Sequence, residues 1–135
     1  MKLRNGWMLV AFALAGCSGN DGKITVESSN QALTDSGGDK LFTITLAEAR
    51  DGGYALDGIK VKVTPDGKDA IEVTCSVADA NSNQKLDKDE KLTCVEPADN
   101  KLGKDLADKE CDVELFAKID DKDERVGDAT WTPPK

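Results

Sequence analysis

The sequence has no histidine. That absence removes an imidazole general base, a Ser-His-Asp or Cys-His pair and a histidine-zinc site. Aromatic residues are 4% of the chain, too few for a base-stacking platform. Basic residues are in the minority, 18 against 26 acidic, for a formal charge of −8. A surface of that sign repels phosphate, so nucleic acid is excluded as an expected partner. Nothing after the first twenty residues is apolar enough to span a bilayer as a helix. At 135 residues the chain is one domain's worth.

What is present begins with an address. Lys2 and Arg4 precede an apolar run from Trp7 to Ala15, which is too short to span as a helix. Leu14-Ala15-Gly16-Cys17 follows. Small residues before a cysteine at the end of a short apolar run resemble the lipobox of bacterial lipoproteins. The resemblance implies that residues 1–16 are a signal peptide removed before Cys17. It also implies that Cys17 carries palmitate-type acyl chains, and that the protein is anchored to a membrane of the cell envelope. Two or more acyl chains give stable anchoring where one is marginal. Ser18, where aspartate would signal inner-membrane retention in enterobacterial lipoproteins, implies the outer membrane or cell surface. Loss of Lys2 and Arg4 with the signal peptide leaves 16 basic residues against 26 acidic, a charge of −10.

Residues 17–39 read as a lipidated cysteine and tether, ending in the polar stretch Ser28 to Asp39. Residues 40–135 read as the folded domain. Apolar and polar residues alternate in Phe42–Leu46, Ile59–Val63, Ile71–Val77 and Val113–Ile119, the period-two pattern of half-buried antiparallel strands. Weaker strands are expected at Lys23–Glu27, Lys91–Val95 and Arg125–Thr132, and a short helix at Leu102–Glu110. Pro65-Asp66-Gly67 is a turn expected to join two strands as a hairpin. About seven short strands predict an all-β fold, a β-sandwich. The segment Asp39–Val63, with Leu56-Asp57-Gly58-Ile59-Lys60-Val61-Lys62-Val63, resembles bacterial immunoglobulin-like domains, which implies an immunoglobulin-like sandwich.

The most informative stretch is Asp79–Glu90, DANSNQKLDKDE. Aligned to a twelve-residue calcium loop, it places Asp79, Asn81 and Asn83 at positions 1, 3 and 5. The backbone carbonyl of Lys85 stands at 7, apolar Leu86 at 8, Asp87 at 9 and Glu90 at 12. Calcium takes six to eight hard oxygen ligands. Alternate residues turn oxygens inward as the chain wraps the ion, and a glutamate at 12 closes the shell with both oxygens. Position 6 is Gln84 where an EF-hand has glycine; a non-glycine residue at positive φ costs on the order of 1 kcal/mol. The flanks read as strands, so the loop resembles the EF-type loops inserted between strands of bacterial surface β-domains. This predicts a calcium site of extracellular affinity, roughly 10⁻⁵ to 10⁻³ M. A second acidic run, Asp120-Asp121-Lys122-Asp123-Glu124, reads as a solvated hairpin turn or as a further carboxylate donated to an ion.

Of the remaining cysteines, Cys75 and Cys94 flank the loop, four residues outside it on either side, and are the expected disulfide. The sequence leaves pairs involving Cys111 open as well. Two functional readings follow. One is a non-enzymatic, calcium-binding lipoprotein whose β-domain serves display or adhesion, with an unidentified envelope or extracellular protein as partner. The other is a small acidic inhibitor of a cationic secreted enzyme such as a lysozyme or protease. Its charge would speed capture, and inhibition would fade at high ionic strength. Replacing Cys17 with Ser should leave an uncleaved precursor on a denaturing gel; a mutant still cut before residue 17 would refute the lipobox.

Overall fold

The computed structural model describes residues 21–77, 82–97 and 102–135. The chain is all-β, and its strands run β1 (Ile24–Ser28), β2 (Lys40–Leu46), β3 (Tyr54–Ala55), β4 (Lys60–Pro65), β5 (Ile71–Val77), β6 (Lys85–Leu86), β7 (Lys91–Val95), β8 (Cys111–Ile119) and β9 (Lys122–Trp131). Seven of them form one antiparallel sheet in the order β9-β8-β4-β5-β7-β2-β1, and β3 pairs with β6 apart from it.

The sheet turns back on itself at β5. Ile71, Glu72 and Val73 pair with β4, with Val61 opposite Val73. Thr74 to Val77 pair with β7, with Cys75 opposite Cys94. One half is therefore β1-β2-β7-β5 and the other β4-β8-β9, which is the strand order of a constant-type immunoglobulin sandwich. The far edges meet as well. Asp21 N donates to Asp128 O at 3.2 Å. Gly127 lies so close to Ile24 that a Cβ there would collide with the isoleucine side chain. The bulge in β9 between Arg125 and Gly127 bends the strand at this contact.

Alternation in the sequence becomes burial. Leu41, Phe42, Ile44 and Leu46 of β2, Val61 and Val63 of β4, and Val113, Leu115 and Ala117 of β8 fill the space between the halves. Phe42 meets Trp131 of the opposite half edge-to-face, ring centroids 5.0 Å apart. Pairs of this kind contribute about 0.5–1.5 kcal/mol beyond area burial.

All seven expected strands are present. The expected hairpin is present too: β4 pairs with β5, and Lys68 N donates to Pro65 O at 3.0 Å across the turn. Two expectations are revised. The short helix over Leu102–Glu110 is instead a single 3₁₀ turn, Lys104–Leu106. Leu102 and Leu106 are buried there, but Asp108 adopts φ 65 and its N–H bonds to Pro133 O at 2.8 Å, which ends the helical path. The stretch read as tether, 17–39, is partly domain. Ile24–Ser28 is a strand paired with β2, and Leu33 is buried, so the folded unit begins well before residue 40.

The second acidic run is a two-residue hairpin turn. Ile119 faces Lys122, and Asp120 and Asp121 take φ 52 and 64. Both are exposed, and Asp123 pairs with Lys60 Nζ at 2.9 Å. Two left-handed residues make a type I′ turn, which favours Asn-Gly. Asp120→Asn with Asp121→Gly should therefore stabilise the domain by about 1 kcal/mol and raise the melting temperature by about 4 °C; an unchanged or lower melting temperature would refute this turn.

Candidate metal centre

The loop read as a calcium site joins β5 to β7. Asp79 and Asn81 lie outside the described residues; from Ser82 onward the loop is described. Ser82, Gln84 and Asp89 adopt φ 56, 59 and 71. Gln84 thus has the left-handed backbone for which an EF-type loop uses glycine at position 6, although the side chain carries a cost there.

Three of the expected ligands come together. Asn83 Oδ1 accepts from Lys85 N at 3.0 Å, and Asn83 Nδ2 donates to Asp87 Oδ2 at 2.7 Å. Asp87 N donates to Glu90 Oε1 at 2.8 Å, and Glu90 N donates to Asp87 O at 3.1 Å. Asn83, Asp87 and Glu90 are therefore joined in one short network. Lys85, expected to offer its carbonyl, lies in β6 with its side chain exposed and its backbone opposite Ala55. Among the described residues no group of three acidic or cysteine side chains is placed to hold a metal. The described part supplies two carboxylates and an amide, and Asp79 lies outside it.

The network is held from below. Leu86 at position 8 is fully buried and pairs with Tyr54. Leu56 N donates to Gln84 O at 3.2 Å. Asp89 N donates to Leu46 O at 2.7 Å, and Leu46 N donates to Glu90 O at 3.1 Å, which attaches the loop's end to the end of β2. The facing segment is itself braced, since Arg50 Nε donates to Gly53 O at 3.2 Å and the guanidinium lies 5.4 Å from the Tyr54 ring centroid. These bonds fix the backbone from Gln84 to Glu90.

Gly53 is the residue on which this docking depends, and sequence reading passed over it. At φ 69 it lies against the loop, and a Cβ there would collide with Asp87 Oδ1 and stand 2.8 Å from Leu86 O. Its signal in the sequence is Asp51-Gly52-Gly53, whose composition marks a turn and nothing more.

The neck of the loop is closed as expected: Cys75 and Cys94 form a disulfide, and Cys111 is free and buried. Burial pushes the Cys111 thiol up to about 11, so it is protonated and unreactive at neutral pH.

Buried acidity was also missed. On β8 and β9 Asp128 stands opposite Glu114, and Thr130 opposite Asp112. Arg125 Nη1 is 3.2 Å from Glu114 and 3.6 Å from Asp128. Burial, and then the neighbouring Asp128, push the Asp112 carboxyl up to about 7. No alternation rule identifies such a residue in a chain that is one-third charged.

Compared with models of protein families, with curated proteins and with solved structures, the chain matches none.

Gly53→Ala should destabilise the domain by roughly 2–4 kcal/mol, the sum of left-handed strain and collision with the loop. Gly52→Ala, at φ 85 with nothing within 4 Å of its Cβ, should cost only about 1 kcal/mol. Equal losses in denaturant melts would refute the contact between Gly53 and Asp87.

Proposed function

We propose that the chain is a non-enzymatic, lipid-anchored β-domain of the bacterial cell envelope, whose loop over residues 79–90 holds a structural calcium ion. The observation that carries the reading is the convergence of Asn83, Asp87 and Glu90, at positions 5, 9 and 12 of the loop, with Gln84 at φ 59 between them. The donor set is all oxygen, which suits a hard cation. Asp79 and Asn81 would add oxygens at positions 1 and 3, the Lys85 carbonyl would serve at 7, and Glu90 would close the shell. Calcium would replace the internal hydrogen bonds of the loop with ion contacts and offset the repulsion among its carboxylates.

The address supports the same reading. Leu14-Ala15-Gly16-Cys17 would place the mature N-terminus on a lipid anchor, and β1 would begin a few residues later. Anchored so near the membrane, the sandwich would be a display or adhesion module. Its partner would be an envelope or extracellular protein met on the strongly acidic surface. The leading support for a structural rather than regulatory ion is the loop's attachment to β2 and β3 by backbone bonds.

The test is melting of the domain in calcium and in chelator. An ion that binds only the folded state stabilises it by RT ln(1 + [L]/Kd), about 2.7 kcal/mol when calcium exceeds Kd a hundredfold. That corresponds to a rise of roughly 8–15 °C for a domain of this size. Glu90→Gln should abolish most of the rise, and Asp123→Asn, the control, should keep it. Coincident curves in calcium and chelator, with no heat of binding by calorimetry, would refute the calcium site.

A further inference from the structure

The segment between β1 and β2 is held down at several points, and two of them involve the acids Asp39 and Glu96. Its root is fixed where Ser29 N donates to Leu41 O at 3.1 Å and Ser29 Oγ donates to Lys40 O at 2.8 Å. Its middle is plugged by Leu33, 5% exposed. Beyond the plug, Thr34 N and Thr34 Oγ1 donate to Asp39 Oδ2 at 2.7 and 2.9 Å. Asp39 is in turn joined to Glu96, just past the end of β7. Asp39 N donates to Glu96 Oε1 at 3.3 Å, and Glu96 N donates to Asp39 O at 3.0 Å.

Glu96 is 2% exposed, and its Oε2 has no hydrogen-bond partner. A carboxylate in that position would be an unpaired buried charge, which is costly. A carboxylic acid would instead have a proton to donate, and Asp39 is the carboxylate beside it. Among the described residues, Asp39 is the charged group that bears on Glu96. Among the described residues, the cations nearby in the chain are directed elsewhere. Lys40 is exposed, and Lys104 pairs with Asp35 on the outside of the segment at 3.5 Å. On the neighbouring strand β5, Thr74 stands opposite Val95.

We propose that Asp39 and Glu96 form a proton-dependent clasp, which holds residues 29–39 closed over the end of the sandwich while Glu96 carries a proton and releases them once it ionises. The two groups divide the roles. The Thr34 donors hold the Asp39 carboxyl below the usual range, so it keeps its charge. Burial, and secondarily Asp39, push Glu96 up to about 7 from an ordinary 4.5. Because the folded-state value lies above the unfolded one, the stabilisation is complete below about pH 4.5 and is lost as pH rises through about 7. Above that pH two carboxylates would share one dry contact. Opening residues 29–38 admits water to the pair and so relieves the repulsion, while β2 and β7 keep their pairing from Lys40 and Val95 onward. The device makes exposure of Leu33 a function of ambient pH.

A global melt cannot isolate the clasp, because Asp112 shifts stability in the same direction. The local readout is amide hydrogen exchange of Thr34, corrected for intrinsic rate, in the full chain with chelator present. Between pH 6 and pH 8 its protection should fall by about tenfold or more, while amides of β8 such as Leu115 keep theirs. In Glu96→Gln the side-chain amide replaces the protonated acid, so Thr34 protection should be flat across that range. Flat protection in the wild type, or a fall in Glu96→Gln equal to the wild type's, would overturn the clasp. Should Glu96→Gln not fold, the side-chain ¹³C titration of Glu96 in the wild type decides. A midpoint in the ordinary carboxylate range would overturn the proposal, and one near neutrality would support it.

Discussion

Strand β5 makes hydrogen bonds to two different halves of the molecule, and the rest of the structure depends on that division. Its first three residues complete the pairing of β4, and its last four complete the pairing of β7. The changeover between Val73 and Thr74 is where one sheet becomes two faces around a core. The Cys75–Cys94 disulfide lies just past the changeover, joining residues already opposite in register. In the chain-entropy model a cross-link over a loop of this length contributes about 3 kcal/mol. The candidate metal loop leaves from the end of β5 and returns as β7, so the bridge fixes the width of the loop's neck. Position of the loop, closure of the core and the disulfide are therefore consequences of one strand's pairing.

The strands were legible because a half-buried strand writes its two faces into alternate residues. Val113, Leu115 and Ala117 are buried while Glu114 and Lys118 point away. The division of β5 was not legible, since Ile71, Val73, Cys75 and Val77 alternate without interruption across the changeover. Ile24–Ser28 was readable as a strand but not as part of the domain, because Ser28–Asp39 has the composition of a linker. Burial of Leu33 and the Thr34–Asp39 bonds attach that stretch by tertiary contacts that composition does not express. The helix expected at Leu102–Glu110 failed for a related reason. Leu102 and Leu106 have helical spacing, yet a single 3₁₀ turn suffices to bury both, and Asp108 is drawn to Pro133.

Within the site, ligand spacing was legible and support was not. Leu86 could be recognised as the anchor because an apolar residue stood alone in a polar loop. What it anchors to, Tyr54 and Ala55, lies some thirty residues earlier in a stretch with no strand pattern. Gly53 could not be distinguished from its neighbour Gly52, since only the folded chain brings Asp87 against one and leaves the other open. Buried acids were the least legible of all. Buried Asp39, Glu96 and Asp128 and half-buried Asp112 sit among many solvated carboxylates, and only the packing around each one separates it from them.

From Ser82 to Glu90 the loop is docked on the segment Gly53–Leu56 and on Leu46, and a cation held by residues 79–90 is the proposal built on that docking. Calcium titration of the ¹⁵N-labelled protein, followed amide by amide, tests this most directly. Shifts should concentrate in residues 79–90 and extend to the seat at Gly53–Leu56 and to Leu46, while β8 and β9 stay in place. No shift at millimolar calcium, or shifts centred on Asp39 and Glu96 or on Asp120–Glu124 instead, would contradict it.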